Sequence, residues 1–134
     1  MKATTEIIVR FADGDPMGHT NNAKYFTYME QSRVALFKTL LNLPPDKPLK
    51  PEYFPFILAE ISCRFLRPTY AENTLAVTAE VKEVKNSSFF IEYEIIDAKT
   101  RELVATGKSA QVWYDYQQGK SIPIPDAYRK ILVG

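Results

Sequence analysis

A single long helical pattern constrains the fold of this chain more than any other feature. From Asn22 to about Asn42 apolar and aromatic side chains recur every three or four residues, and no proline or glycine interrupts them. The repeating positions are Tyr25, Met29, Arg33, Leu36 and Leu40. This spacing predicts an amphipathic helix with a wide apolar face. The prolines of the following segment, NLPPDKP, end the helix because they cannot continue it.

Most of the remaining chain has the alternation that is typical of strands. Ile7, Val9 and Phe11 share one face of a predicted strand before the helix. Four further alternating runs follow the helix, in FILAEISCRFL, TLAVTAEVKEV, SFFIEYEII and ELVATGKSAQVWYDY. Their connections are short and polar, as antiparallel neighbours require. Gly107 is expected to mark a bulge or a close approach, and Pro125 to begin a short terminal helix.

The order of these elements predicts an α+β fold, a curved antiparallel sheet wrapped around one long central helix. The 134 residues suffice for one domain, so residues 1–134 are expected to form a single unit. Exposed aromatic side chains, for which Phe90 and Trp113 are candidates, and long edge strands would be liabilities on a monomer. We therefore expect a homo-oligomer, either a dimer or a dimer of dimers, with active sites at the subunit interface.

Composition and charge argue against several classes of function. The chain has 17 Lys and Arg against 16 Asp and Glu, scattered along its length, so neither nucleic acid nor an anionic membrane is an expected partner. One histidine and one cysteine leave no metal site and no internal disulfide, and alternation predicts that Cys63 is a small buried side chain rather than a nucleophile. Without a phosphate-binding loop, no cofactor is expected. Without a signal peptide or membrane-spanning pattern, the expectation is a soluble cytoplasmic protein.

The densest polar chemistry lies in DGDPMGHTNNAKY, residues 13–25, directly before the helix. Aspartate in a glycine-containing turn commonly serves local hydrogen bonding, and this is the preferred interpretation for Asp13. Asn21 and Asn22 are natural helix caps. The first N–H groups of a helix also lack partners and carry the positive end of the dipole, so they can hold an oxyanion.

This segment resembles the signature of the hotdog-fold thioesterases, the 4-hydroxybenzoyl-CoA and acyl-CoA thioesterase family. Later segments match in the same order: FLRPTYAEN, VKNSSFFIEYEI, and VATGKSAQVWYD followed by SIPIPD. The similarity covers nearly the whole chain, although the later segments are weak signals alone. It implies the hotdog fold and hydrolysis of an acyl-CoA thioester to a free carboxylic acid and CoA.

The resemblance also implies roles for particular residues of the loop. Asp15 corresponds to the reactive carboxylate, and the backbone N–H of Asn22 would polarise the thioester carbonyl. Asp15 would either activate a water or attack directly to form a mixed anhydride, and the sequence leaves both routes open. Gly18 is expected to adopt a backbone angle closed to other residues. His19 would orient the loop, contact substrate or serve as a cap.

Glu30 is the second candidate for the catalytic carboxylate. In some hotdog enzymes a carboxylate on the central helix performs the reaction, and Glu30 lies one to two turns into the predicted helix. The more ordinary interpretation is a solvated charge that pairs with Arg33.

The expected binding site for the CoA end consists of turn residues on two connections. In the family these turns run beside the pantetheine arm and its phosphates, and Arg, Lys and Ser suit such groups. The residues are Arg67, Lys85, Asn86, Ser87 and Ser88. Ordinary turn composition explains Lys85 and Asn86 at least equally well.

Three functions from different classes remain at this point. The first is an acyl-CoA thioesterase. The second is a thioesterase for acyl carrier protein, although such enzymes usually contain two hotdog domains and a second catalytic motif that this chain lacks. The third is a non-hydrolytic acyl-binding or dehydratase module, but the dehydratases carry a catalytic histidine in a different motif, and Asp15 favours hydrolysis.

Overall fold

The secondary structure follows the predicted order of one strand, one long helix, a set of strands and a short terminal helix. The computed structural model describes all 134 residues. Its elements are β1 Lys2–Ile8, α1 Asn22–Leu40, β2 Phe56–Phe65, β3 Thr74–Val84, β4 Ser88–Asp97, β5 Leu103–Asp115, β6 Lys120–Ser121 and α2 Asp126–Val133. A single turn of 3-10 helix, Phe11–Asp13, lies between β1 and α1. Neither helix combines the length and the apolar character that a membrane span requires.

The five long strands form one antiparallel sheet in the order β1-β3-β4-β5-β2. The two-residue strand β6 pairs with the end of β5, outside this path. Strands β1 and β2 are therefore the two edges of the sheet. The predicted α+β architecture, an antiparallel sheet around one long helix, is confirmed.

The core lies between α1 and one face of the sheet. The predicted helical face is buried, with Met29 and Leu36 fully inaccessible. Alternation predicts one inner face on each of the two central strands β3 and β4. Most residues of these faces are buried, namely Leu75, Val77, Ala79, Phe89, Ile91, Tyr93 and Ile95, whereas Val81 is partly buried. Alternation on these central strands was therefore a correct guide, because their neighbours cover both of their edges.

Gly107 marks a close approach between the sheet and α1. It pairs with Tyr93 of β4 on one side and Cys63 of β2 on the other. A Cβ at this position would collide with the sulfur of Met29 and would lie 3.1 Å from the carbonyl oxygen of Ser62. The missing side chain thus makes room for the helix, as expected for a glycine inside a strand.

Two predictions about aromatic side chains are wrong. Phe11 does not extend the buried face of β1, since the chain turns into the 3-10 helix there and leaves Phe11 92% exposed. Trp113 is only 2% exposed. Its ring packs against Phe54, with centroids 5.1 Å apart, and against Tyr128 of α2 at 4.7 Å. The C-terminal segment folds over the end of β5 and covers it. Phe90 is partly exposed.

The edge strand β2 departs from the predicted alternation at its start. Alternation predicts one shared face for five positions, Ile57, Ala59, Ile61, Cys63 and Phe65. The register shifts between Leu58 and Glu60, so these positions do not all share one face. Leu58 pairs with the buried Gln111, whereas Ile57 pairs with the next residue of β5 and is 37% exposed. No residue of β2 is fully buried. This strand therefore presents an incompletely covered, apolar edge.

Candidate active site

Asp13 holds the loop between β1 and α1 in place. Its carboxylate accepts hydrogen bonds from the backbone N–H of Arg10 at 3.1 Å, the guanidinium of Arg10 at 2.9 Å and the hydroxyl of Tyr28 at 2.7 Å. Burial by itself would raise the pKa of this carboxyl, but the bonds from Arg10 and Tyr28 outweigh it and lower the pKa to about 2. The backbone oxygen of Asp13 also accepts from the N–H of Asn21. The predicted turn role of Asp13 is confirmed.

Asp15 starts a tight turn that closes at His19. Its Oδ1 accepts the N–H groups of Met17 at 2.9 Å and His19 at 3.1 Å. Its backbone N–H donates to the carbonyl of His19 at 2.7 Å, and its carbonyl accepts from Gly18 at 3.0 Å. Oδ2 has no hydrogen-bond partner in the chain. One carboxylate oxygen therefore fixes the orientation of the half-buried side chain, and the other is free to react.

Gly18 and His19 complete this turn. Gly18 has a φ of +84°, so the backbone angle expected of it is confirmed. The half-buried ring of His19 meets the ring of Tyr70 edge to face, with centroids 5.4 Å apart. The His19 side chain takes part in no ion pair. An aromatic contact, rather than a carboxylate, thus orients the imidazole.

Helix α1 begins at Asn22, and Asn21 caps it. The Oδ1 of Asn21 accepts the N–H of Ala23 at 3.0 Å, and its carbonyl accepts the N–H of Lys24 at 2.9 Å. The N–H of Asn22 has no acceptor within the chain. Because this donor lies at the positive end of the helix dipole, it can stabilise a negatively charged oxygen within hydrogen-bond distance of it.

A surface pocket of about 350 Å³ brings four predicted site residues together. They are Asp15, His19, Asn22 and Arg67. The other residues that line it are Thr20, Tyr25, Phe65, Leu66 and Pro68. The pocket thus lies between the start of α1 and the end of β2, and the residues that line it include those that carry the free carboxylate oxygen and the free helix N–H.

A buried cluster of hydroxyl groups below the pocket was missed by the sequence interpretation. The side-chain oxygens of Thr20 and Thr69 lie 2.6 Å apart, and the Tyr25 hydroxyl lies 2.8 Å from that of Thr69. The N–H of Thr20 also donates to the carbonyl of Thr69. The cluster joins the Asp15 loop to the segment after β2. Tyr25 was interpreted only as part of an apolar helix face, and a tyrosine on such a face was the available signal.

Arg67 stands at the rim of the pocket. Its Nη1 lies 3.2 Å from Glu102 Oε2, and both side chains are more than half exposed. Its N–H donates to the carbonyl of Val104 at 3.1 Å, which ties it to the start of β5. Exposed ion pairs of this kind contribute little to stability. The guanidinium can therefore exchange its partner for a ligand anion at little cost.

The turn Lys85–Ser88 lies far from this pocket within one chain. The turn leads into the start of β4, whereas Arg67 lies beside the end of β4. Because β4 has ten residues, the two ends of the strand are about 30 Å apart. The guanidinium of Arg129 donates to the carbonyls of Lys85 and Asn86, each at 3.0 Å. The backbone N–H of Trp113 donates to the backbone carbonyl of Ser87. One chain does not bring the two groups of predicted CoA contacts together.

Glu30 lies outside the pocket, on the exposed face of α1. It lines a separate depression with Gln31 and Val34. The predicted ion pair between Glu30 and Arg33 is wrong. Arg33 is buried against the sheet and donates to the hydroxyl of Tyr93 at 3.0 Å, whereas Glu30 faces solvent.

No group of three or more His, Cys, Asp or Glu side chains could hold a metal ion. Cys63, the one free thiol, is half-buried in β2. Burial raises the pKa of this thiol to about 11, so the reactive thiolate is scarce near neutral pH.

Comparisons with known proteins show what the whole chain is similar to. The model of the thioesterase-like superfamily matches residues 9–132. YneP of Bacillus subtilis (strain 168), named as a candidate acyl-CoA thioesterase, is 28% identical over 123 residues, which are 92% of this chain and 87% of that protein.

Solved structures share the fold over nearly the full length. A thioesterase from Thermus thermophilus, complexed with coenzyme A and zinc, is 29% identical with a TM-score of 0.83 and covers 98% of this chain and 97% of its own. A predicted thioesterase from Bacillus stearothermophilus is 26% identical with a TM-score of 0.86 and covers 99% and 95%. The expected hotdog fold is confirmed.

Proposed function

This chain belongs to the thioesterase-like superfamily, and we propose that it is an acyl-CoA thioesterase that uses Asp15 to form a free carboxylic acid and CoA. One observation carries the proposal. The same pocket is lined by Asp15, whose carboxylate keeps one oxygen without a partner, and by Asn22, whose backbone N–H has no acceptor in the chain. A thioester carbonyl between them would have a nucleophile or base on one side and an oxyanion donor on the other.

The chemistry of a thioester suits these groups. A thiolate with a pKa of about 8.5 is a good leaving group, so strong acid assistance is not needed. Asp15 would either take a proton from the attacking water or bond to the carbonyl carbon, which gives a mixed anhydride that water then hydrolyses. In both routes the carbonyl oxygen becomes negative before the carbon–sulfur bond breaks. The N–H of Asn22 would stabilise that charge.

Arg67 supports CoA as the carrier of the acyl group. It is a cation at the rim of the pocket whose own ion pair is exposed and weak. Guanidinium groups bind phosphate oxygens through charge-assisted hydrogen bonds. Arg67 would therefore hold a phosphate of CoA while the thioester lies beside Asp15 and Asn22.

The exposed edge of β2 supports assembly into a homodimer. Its outer side has no partner strand, and Ile57, Leu58 and Phe65 are each 37–41% exposed. Unpaired apolar edges invite pairing with another chain. Pairing of two copies through β2 would place the pocket, of which Phe65 is one wall, at the subunit interface. A stable and active monomer in sedimentation would contradict this arrangement.

The decisive experiment removes the charge of Asp15. Asp15→Asn removes the charge, so kcat for acyl-CoA hydrolysis should fall on the order of a hundredfold or more. Because the variant preserves the size of the side chain, substrate binding should persist. The release of the thiol measures the rate. Glu30→Gln should have a much smaller effect. Asn22→Ala should be milder still because the backbone donor survives. Near wild-type activity of Asp15→Asn together with an inactive Glu30→Gln would show that Glu30, on the helix, is the catalytic carboxylate.

A further inference from the structure

Arg33, in the middle of α1, is a buried cation without an anionic partner in the chain. Only 6% of the residue is exposed. The four ion pairs of the structure all involve other residues. Its side chain makes one hydrogen bond, from Nη1 to the hydroxyl of Tyr93 at 3.0 Å. A guanidinium has five N–H donors, and buried charges are normally paired. Most donors of Arg33 have no partner within the chain, and its unpaired nitrogens keep some contact with solvent.

The polar groups around Arg33 are neutral and largely engaged with one another. The hydroxyl of Tyr93 lies 2.7 Å from that of Ser109, which donates to Oε1 of Gln111. Nε2 of Gln111 in turn donates to the carbonyl of Phe89 at 3.0 Å. The cluster therefore orients Arg33 but supplies no charge to balance it.

Arg33 lies on the side of α1 that borders β2. Phe26 and Phe37, seven residues before it and four after it, share that side of the helix. The ring of Phe26 packs against Phe65 with centroids 6.4 Å apart, and the ring of Phe37 against Phe56 at 5.0 Å. These two aromatic contacts connect α1 to β2 on either side of Arg33.

Between these contacts the seam is incompletely covered. Ile61 and Cys63 of β2 pair with Ser109 and Gly107, which places them on the core side of the sheet, yet both are only partly buried. Ile91, on the same side of the central strand β4, is fully inaccessible. No residue of β2 is fully buried, so the seam is incompletely covered along its whole length, including the part nearest to Arg33.

The same seam ends at the candidate active site. The pocket is lined by Asn22 and Tyr25 from α1 and by Phe65 from β2. Arg33 lies eleven residues beyond Asn22, about 16 Å along the helix axis, and its side chain leans back toward the helix N-terminus. An acyl group whose carbonyl lies at Asn22 would extend along the apolar seam, past Phe26 and toward the guanidinium.

We propose that Arg33 is a specificity residue that selects acyl groups with a carboxylate at the end remote from the thioester. The substrates would be thioesters of dicarboxylic acids. This inference rests on the proposed thioesterase function, since that function places the acyl group in the seam. A carboxylate would bind the guanidinium through two parallel hydrogen bonds and supply the charge that the chain lacks.

Hydrolysis of matched substrate pairs tests this proposal. Each pair contains a dicarboxylic monoacyl-CoA and a methyl-terminated acyl-CoA of equal chain length, in a series from short to long. At the best length, kcat/KM of the wild-type protein should favour the carboxylate by about tenfold or more, and the preference should disappear on shorter chains that cannot reach Arg33. A wild-type protein without this preference at any length would overturn the proposal.

Arg33→Met keeps a similar volume and removes the charge, and such replacements of buried charges often preserve folding. It should abolish the preference for carboxylates and leave methyl-terminated substrates unaffected. Arg33→Lys, which keeps the charge without the planar fork, should retain part of the preference. Ser32→Ala is the matched control, because Ser32 is a buried polar residue of α1 that donates to Val77 of β3, away from the seam. An Arg33→Met variant with wild-type preference would refute the assignment.

Binding of the free acids separates this inference from the proposed function. Calorimetry should show that a dicarboxylic acid binds wild-type protein about tenfold more tightly than the monocarboxylic acid of equal length, and that Arg33→Met removes the difference. This result without acyl-CoA hydrolysis would support the Arg33 site and reject the thioesterase proposal. Hydrolysis without any preference for dicarboxylic ligands would support the enzyme and reject the role of Arg33.

Discussion

The Asp13 carboxylate anchors the loop that carries Asp15, and removal of its charge should lower stability more than activity. Asp13→Asn keeps the shape of the side chain. It removes the negative charge that the guanidinium of Arg10 and the hydroxyl of Tyr28 bind at 2.9 and 2.7 Å. Asp15 keeps its own bonds to Met17 and to the end of the turn. Activity per folded molecule should therefore survive.

The shifted pKa of Asp13 sets the size of the effect. Folding lowers this pKa from 3.8 to about 2, and each tenfold change in acidity corresponds to about 1.4 kcal/mol. Because Arg10 is 70% exposed, solvent screens part of this interaction. We therefore expect Asp13→Asn to lower the free energy of unfolding by about 1–2 kcal/mol near neutral pH.

The sign of the pH dependence follows from the direction of the shift. The folded-state pKa lies below the unfolded value, so the stabilisation is fully present above about pH 4. It is lost as the pH falls toward 2, where Asp13 becomes protonated in the folded protein. The difference between wild type and Asp13→Asn should therefore shrink in this range.

Urea denaturation at several pH values measures both quantities. Trp113 is the only tryptophan and is 2% exposed, so its fluorescence should report unfolding directly. Tyr28→Phe removes one donor to Asp13, and a double-mutant cycle between the two positions should show coupling. Equal stability of Asp13→Asn and wild type near neutral pH would refute this reasoning, as would a difference that stays constant down to about pH 2.

Three further predictions concern other parts of the structure. Arg67→Gln should raise KM for acyl-CoA severalfold and leave kcat nearly unchanged. KM for a pantetheine thioester that lacks the nucleotide should change little, and an equal rise in KM for both substrates would indicate a structural role for Arg67. Gly107→Ala should lower the free energy of unfolding in urea by about 1–3 kcal/mol, because a Cβ collides with the buried Met29 sulfur; unchanged stability would contradict that packing. Cys63, whose thiol pKa burial raises to about 11, should react slowly with a thiol reagent near pH 8 and rapidly after unfolding, and immediate labelling of folded protein would be evidence against this.

The periodicity of apolar residues was sufficient to predict the fold wherever the buried side chains of one helix or strand recur at a constant spacing. The helix from Asn22 and the inner faces of β3 and β4 obey such a period because continuous neighbours cover them. The start of β2 does not, since a register shift after Leu58 reverses the facing of its side chains. Trp113 was also misjudged, because the rings that cover it belong to Phe54 and to Tyr128 of α2, outside its own strand. Alternation within one strand contains no information about such a cover.

The loop portion of the candidate site was predictable for a similar reason. Asp15, Gly18 and Asn22 lie within eight residues of one another, so turn and helix-end chemistry places them together before any tertiary contact is known. The partners of Tyr25 and Arg33 could not be found in this way. Thr69 is 44 residues from Tyr25, and Tyr93 is 60 residues from Arg33. Only the sheet order brings these side chains together.

The proposed contact between the turn Lys85–Ser88 and CoA depends on assembly of two copies of the chain. Within one chain this turn lies about 30 Å from Arg67, and its backbone is held by Arg129. It can therefore meet the nucleotide of a CoA bound at Arg67 only when a second copy supplies it. In that case Lys85→Gln, which keeps the Arg129 contacts to the backbone, should raise KM for acyl-CoA but not for a pantetheine thioester, and the effect should require the dimer. An unchanged KM for both substrates in a dimeric protein would remove Lys85 from the binding site and leave the turn a structural role.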